Sequence, residues 1–376
     1  MDRMNLLNLH LKNFRRHKET NLTFSNKLNF IVGANGAGKT TILESIYYLC
    51  TNKNFNTRTD NEAISFGEDN FEVEGTIKEL TESKIRVYYS LTENKKFYFR
   101  NKKKISRSVD IIGSFPIVTL TPTDLSITKG FPSDRRKFID SILSQASKTY
   151  LINLLDYNRT LKQRSSLLFL LKENNSEKSN DELEAWNEKL IQGGLYLIEK
   201  RQRFINDFKT FVEDSYIEIM ESKETPEVIY SFLESDEKKT NNIEKKFRDL
   251  LKIKEDEEKR RIANLVGPHK DDFIFLIDNV DLKKYGSQGQ HKTFQIALRF
   301  AEFFYLKQLT GKTPIFLLDD VFGKLDSKRA QKISNYLRKV GQAFITVTDL
   351  ADFSFLDINN EDTIIKVNEG VVEYAW

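Results

Sequence analysis

The stretch GANGAGKTT, from Gly33 to Thr41, constrains this chain more than any other. It follows KLNFIV, an apolar run that reads as a strand, and leads into TTILESIYYLC, which reads as an amphipathic helix. Strand, glycine loop and helix in that order form a phosphate-binding loop. Gly33, Gly36 and Gly38 let the backbone N–H groups of the loop, with Ala34, Asn35 and Ala37, wrap the phosphates of a nucleotide. Lys39 reaches the terminal phosphates, and Thr40, followed by Thr41, offers its hydroxyl to Mg²⁺. The bland alternative, a glycine-rich turn with a solvated lysine, does not account for the flanking strand and helix. The motif specifies a nucleotide and is silent on what the nucleotide drives.

PIFLLDDVF places Asp319 and Asp320 at the end of a buried apolar strand. Two adjacent carboxylates there are costly unless a cation or hydrogen bonds compensate them. The functional reading gives Asp319 to the Mg²⁺ shell and has Asp320 orient or deprotonate the attacking water. The bland reading is an acidic turn, which the phosphate loop disfavours. An Asp reaches one methylene less far than a Glu, so slow hydrolysis is expected, suited to a timed clamp.

A third feature is YGSQGQHKTFQIALRF, from Tyr285. Ser287 and Gln290 have capping-box spacing, and Phe294, Leu298, Ala301 and Tyr305 then fall on one helical face. Such a helix N-terminus is suited to an anion. In nucleotide-sandwich ATPases the lobe carrying it meets the phosphate loop of a second molecule, so Ser287 and Gly289 would serve a partner's ATP in a head-to-tail dimer. An ordinary capped helix is the alternative.

Strands dominate the first third, with FEVEGTI and IRVYYSL alternating at period two. From about Ser133 long helical stretches take over, broken by the polar KENNSEKSNDE, which reads as an exposed turn. Strand character returns at DFIFLI, TPIFLLDD, QAFITVT, TIIKV and VVEYA. At 376 residues the chain exceeds what one core usually serves, and the pattern predicts an ATP-binding lobe split by a helical one. The expected domains are 1–125 and 301–376 for the ATP-binding lobe, and 126–300 for the helical lobe with the Ser287 helix. No sustained heptads argue for a coiled-coil arm. Cys50 is the single cysteine and excludes a disulfide framework, and the four histidines show no metal-site spacing. The N-terminus lacks a signal-peptide pattern and no apolar run reaches membrane-span length, so a cytoplasmic protein is expected.

Taken together, NFRRH at Asn13, GANGAGKT, PTDLSITKGFPSDRRKFID from Pro122, LKQRSSLL at Leu161, GPHKDD at Gly267, YGSQGQ, LLDDVFGKLD at Leu317 and TVTD at Thr346 resemble the RecF family of bacterial recombination mediators, within the ABC/SMC-like ATPases. The blocks run nearly end to end in the family's order, most weakly between about Ser176 and Arg261. The resemblance implies an α/β fold: an ABC-type P-loop ATPase head, with a mixed sheet in a split lobe I, an inserted mainly helical lobe II and no long coiled coil. It implies ATP-dependent dimerisation at single-strand gaps in DNA, cooperation with RecO and RecR, and help in loading RecA, within replication, gap repair and the SOS response. Position by position, Lys39 and Thr40 match Walker A, Asp319 and Asp320 Walker B, Ser287, Gln288, Gly289 and Gln290 the signature, and Leu325 and Asp326 the D-loop. The resemblance further implies a nucleotide contact for Arg15 in NFRRH. Two departures from the wider ABC pattern stand out: VTLTPTDL has no Q-loop glutamine, and no switch histidine follows AFITVT, leaving Thr346, Thr348 or Asp349 for that role.

Net charge is +4, so contact with DNA needs a local basic face. Arg135, Arg136 and Lys137 stand in the first turn of a helix, where cations oppose the macrodipole and some other partner must justify them. Lys102, Lys103, Lys104 and Arg107 form a second cluster in a hairpin or loop, and Arg159, Lys162 and Arg164 a third on a long helix. None is read as the aromatic interleaving of a single-strand stacking groove, so salt-sensitive backbone contact to duplex is the expectation. Competing readings are a small-molecule kinase, which would need an acceptor pocket, and a transporter ATPase subunit, which the missing glutamine and histidine disfavour.

Overall fold

Residues 4–54, 59–173, 177–220, 224–236, 242–322, 327–349 and 358–375 are described by the computed structural model, and the chain divides into two units. The first comprises Met1–Asp124, Asp214–Ser222 and Ile296–Trp376; the second comprises Leu125–Glu213 and Lys223–Gln295.

In the first unit a six-stranded sheet runs in the order Val371–Ala375, Thr363–Asn368, Leu28–Val32, Ala343–Val347, Ile315–Leu318, Ile117–Leu120. All neighbours are parallel except the outermost pair Thr363–Asn368 and Val371–Ala375. The three middle strands LNFIV, AFITV and IFLL are buried at every position, as parallel strands covered on both faces must be. This strand order decides the site. Leu28–Val32 and Ile315–Leu318 both flank Ala343–Val347, and parallel pairing brings their carboxyl ends together. The glycine loop leaves one of these ends and the two aspartates leave another.

A second, antiparallel sheet of six strands runs His17–Thr23, Asn5–Phe14, Asn70–Lys78, Glu82–Ser90, Lys95–Arg100, Lys103–Ile105. Its inner face shares one apolar core with the helix Lys39–Thr51 and the parallel sheet, through residues such as Leu9, Val73, Val87, Ile46 and Phe344. Polar ties cross that core. Gln342 is fully buried, accepting from the Leu6 N–H at 2.7 Å and donating to the Leu6 carbonyl at 2.8 Å. Tyr98 donates to the Leu49 carbonyl at 2.8 Å. Buried polar groups with both partners present lock register as apolar contact alone cannot.

The second unit is mainly helical, with Pro132–Ala146, Lys148–Glu173, most of Glu177–Ile219, and Ile243–Arg261. KENNSEKSNDE is shorter as an interruption than its composition predicts: one helix runs to Glu173, the next starts at Glu177, and residues 174–176 lie outside the described set. The unit also carries a four-stranded sheet, in which Asp272–Ile277 lies between Pro226–Phe232 and Val280–Asp281. PEVIYSF alternates buried and half-buried positions, a period-two strand that the helical reading of this lobe passed over. The last turns of the long helix, from Asp214, belong to the first unit, where Ser215 meets Tyr336 and Glu218 pairs with Lys339.

Candidate nucleotide site

Gly38 has φ +111° and caps the helix Lys39–Thr51; Gly36 has φ +79°. Both sit in the left-handed region that side chains rarely adopt. At Gly38 there is a second reason for glycine: a Cβ would lie 2.9 Å from Nε2 of His17. That imidazole is fully buried, 3.2 Å from the Gly38 carbonyl and 3.0 Å from the Thr20 hydroxyl, and burial lowers its pKa. The histidine of NFRRH thus props the phosphate loop from behind, a role that motif reading did not foresee.

Lys39 folds its ammonium onto the loop, donating to the carbonyls of Gly33 at 2.5 Å and Ala34 at 3.0 Å. Burial lowers its pKa, while the nearby Asp320 and Asp319 oppose that shift. Thr40 donates to Asp319 at 2.9 Å, and Thr346 donates to the same carboxylate at 2.8 Å. The Thr346 hydroxyl in turn accepts the Asp320 N–H at 2.9 Å. The Asp319 carboxylate thereby ties the end of its own strand to the helix that follows the glycine loop and to the strand Ala343–Val347. Asp320 itself has φ +48°, a strained value for a residue with a side chain. Burial raises the Asp319 carboxyl above its ordinary pKa, against the hydrogen bonds from Thr346 and Thr40.

These groups open onto a cavity of about 870 Å³, inside the usual range for ligand pockets, and every residue lining it belongs to the first unit. Asn35, Gly36, Gly38, Lys39, Thr40 and Thr41 line it together with Asp319, Asp320 and Thr346. Arg15 also lines it, held by Glu44 of the loop helix at 2.9 Å, so its guanidinium is aimed and not free. Sequence reading missed Glu44, and it missed the wall from Asn61 to Glu68, which has no motif. In place of a Q-loop glutamine the wall has Pro122, whose turn is anchored where Thr121 N–H and Arg299 both donate to Asp124.

Ser287, Gln288, Gly289 and Gln290 open the helix Gln288–Thr310 in the second unit. The capping box forms in both directions: Ser287 N–H donates to Gln290 at 2.9 Å, and Gln290 N–H to the Ser287 hydroxyl at 3.2 Å. Ser287 is exposed, and the apolar face formed by Phe294, Leu298, Ala301 and Tyr305 is buried. Asp326 and Leu325 lie outside the described residues.

The basic clusters require correction. Arg135 is buried and forks onto Asp272 at 2.7 and 2.9 Å; Arg164 is buried against Glu258, Asn264 and Asn187. Neither can reach DNA. Arg136 is half-buried and donates to the Asp271 carbonyl at 2.5 Å. The partner that justifies cations in that first turn is therefore the acidic end of GPHKDD, within the same unit. Lys137, Lys102, Lys103, Lys104, Arg159 and Lys162 are exposed, Arg159 beside Asp156 at 2.8 Å.

A phosphate loop and a carboxylate pair at the carboxyl ends of strands in one parallel sheet define an ABC-type P-loop ATPase. Residues 4–265 match the family model of the AAA ATPase domain. A DNA replication and repair protein RecF from Chloroherpeton thalassium is 40% identical over 364 residues, spanning 93% of this chain and 96% of that one. The solved structure of the recombination mediator protein RecF-ATP in the RecFOR pathway superposes with a TM-score of 0.90 at 32% identity, covering 100% of this chain and 98% of that one. An Smc head domain from Pyrococcus furiosus shares the fold alone, at TM-score 0.58 and 17% identity over 99% of this chain and 96% of that one. The chain belongs to the RecF family of DNA replication and repair proteins, and it is an ATPase. Among the described residues no helix is long and apolar enough to cross a membrane.

Proposed function

We propose that this protein binds DNA as an ATP-driven clamp in the cytoplasm, closing as a homodimer at single-strand gaps and junctions with duplex. In that reading it assists RecA loading together with RecO and RecR during gap repair and the SOS response, and DNA stimulates a slow hydrolysis. The observation that carries it is the Thr40–Asp319–Thr346 hydrogen-bond chain beside Lys39 in one cavity. The relative solved as RecF-ATP supports the choice of nucleotide.

Mg²⁺ fits the site on the chemistry of its donors. The Thr40 hydroxyl and the desolvated Asp319 carboxylate are hard oxygen donors in direct contact, and a carboxyl pushed up by burial is one that a cation would stabilise. When bound, the ion supplies neutralisation of phosphate charge. The chain's own residues do the rest. Lys39 exchanges the Gly33 and Ala34 carbonyls for the terminal phosphates, the loop N–H groups hold the remaining oxygens, and Arg15, aimed by Glu44, adds a second cation. Asp320 takes a proton from the attacking water as its oxygen bonds to the γ-phosphorus and the β,γ bridging bond breaks. Its short side chain keeps the step slow. The Ser287 helix of a second molecule would present N–H groups to the γ-phosphate.

The test is the solution mass of Asp320→Asn by light scattering, with and without Mg-ATP. Doubling of mass with nucleotide supports the clamp. A monomer in Mg-ATP that also stays monomeric with gapped DNA, while ATP is demonstrably bound, sinks it.

A further inference from the structure

The outer face of the antiparallel sheet brings together what the sequence keeps apart. Lys95–Arg100 pairs with Glu82–Ser90 so that Phe97 stands opposite Tyr88, and Phe99 opposite Arg86. It pairs on its other side with Lys103–Ile105, setting Lys104 opposite Phe99. Directly opposed residues of an antiparallel ladder point to the same face. Their neighbours Val87 and Tyr98 point inward, where both are buried. Tyr88, Phe97 and Phe99 are only half-buried.

The contacts on this face are those of an aromatic platform with cations over it. Tyr88 and Phe97 stack with ring centroids 6.3 Å apart at 24°. The Lys104 ammonium lies 4.4 Å above the Phe97 ring; the Arg86 guanidinium lies 5.5 Å from Tyr88 and 5.7 Å from Phe99. Lys95 and Lys102 are exposed at the rim. Asn101 and Lys102 form the tight turn that projects them, both with positive φ. On the far side Glu72 and Glu74 are taken up by Arg86 at 2.5 and 3.3 Å, so the aromatic end keeps a net positive rim.

We propose that this face binds unpaired single-stranded nucleic acid, with bases stacking on Phe97, Phe99 and Tyr88 and phosphates along Lys95, Lys102 and Lys104. Two observations favour a single strand over duplex. Stacking requires a free base face, and flat rings backed by cations are what sequence-tolerant single-strand sites use. Duplex would meet only the lysines. Cross-strand aromatic pairs also stabilise sheets, and that is the structural alternative. The inference rests on the DNA-binding reading above, but it concerns a surface separate from the nucleotide cavity.

The test is fluorescence anisotropy of the full-length chain with labelled oligo-dT and with a duplex of equal length. Phe97→Leu keeps an apolar side chain on the sheet and removes the ring. It should weaken oligo-dT binding by about 5-fold to about 150-fold and leave duplex binding unchanged. Phe97→Trp should retain binding and report it, the added indole being quenched when a base stacks. Neutralising Lys95, Lys102 and Lys104 to Gln should lower the salt slope by about 0.7 for each phosphate no longer neutralised. Equal losses for single strand and duplex in Phe97→Leu, or no quenching in Phe97→Trp, would overturn the platform while leaving the clamp standing. A wild-type chain that binds no DNA, with or without Mg-ATP, would overturn both.

Discussion

Thr346→Val removes one hydroxyl and nearly nothing else, because valine has the shape of threonine and the position is 1% exposed. Two hydrogen bonds go with it: the donation to Asp319 at 2.8 Å and the acceptance from Asp320 N–H at 2.9 Å. A hydrogen bond to a charged group contributes about 1.5–3 kcal/mol. Asp320 is exposed, so water can replace its acceptor and the second loss is about 0.5–1 kcal/mol. The expected destabilisation is about 2–4 kcal/mol, a sizeable part of an ordinary total of about 5–15 kcal/mol. Freed on one side, Asp319 keeps only Thr40, and misplacement by an ångström can cost about a hundredfold in rate.

The pH dependence has a definite sign. The folded Asp319 carboxyl already sits above its ordinary pKa through burial, so the folded state holds that proton to higher pH than the unfolded chain does. Stability is therefore lost as pH rises from the ordinary carboxyl value through the folded one. Removing the Thr346 bond raises the folded value further. The variant's deficit should be smallest in acid, where the carboxyl is protonated in both proteins, and full above the folded pKa. Urea denaturation across pH and steady-state ATP hydrolysis measure the loss of stability and the loss of rate. Wild-type turnover with a wild-type urea midpoint would refute the assignment of Thr346 as the residue positioning Asp319.

Arg164→Ala should cost about 3–5 kcal/mol in urea denaturation, because it leaves the buried Glu258 without its cation; an unchanged midpoint with weakened DNA binding would return Arg164 to the surface. Arg159→Ala, at an exposed pair on the same helix, should cost less than about 1 kcal/mol by the same measurement. Gly38→Ala forces a side chain into φ +111° and against His17, so ATP titration should show affinity reduced tenfold or more with most of the fold intact; unaltered affinity would mean that the loop geometry is not needed. Ser287→Arg loses a cap, about 1 kcal/mol, and in the dimer reading blocks the nucleotide-dependent mass increase while monomer ATP binding survives; a mass that still doubles would leave Ser287 as a helix cap alone.

What the sequence determined by itself is local. The phosphate loop from Gly33 to Thr41 is legible because its chemistry depends on consecutive backbone groups and on glycines that permit positive φ. The Ser287 capping box is legible because both partners lie within one helical turn. The buried strands on either side are legible from apolar runs alone. The tertiary structure decided everything that depends on a distant partner. Thr40 and Asp319 are 279 positions apart and meet because two parallel strands flank a third. A basic side chain looks the same in sequence whether it faces solvent or a carboxylate, so only the fold separated Arg135 and Arg164 from Lys104. The aromatic platform follows the same rule. Tyr88, Phe97 and Lys104 come from three strands, and cross-strand register, not spacing along the chain, puts their rings and charge on one face.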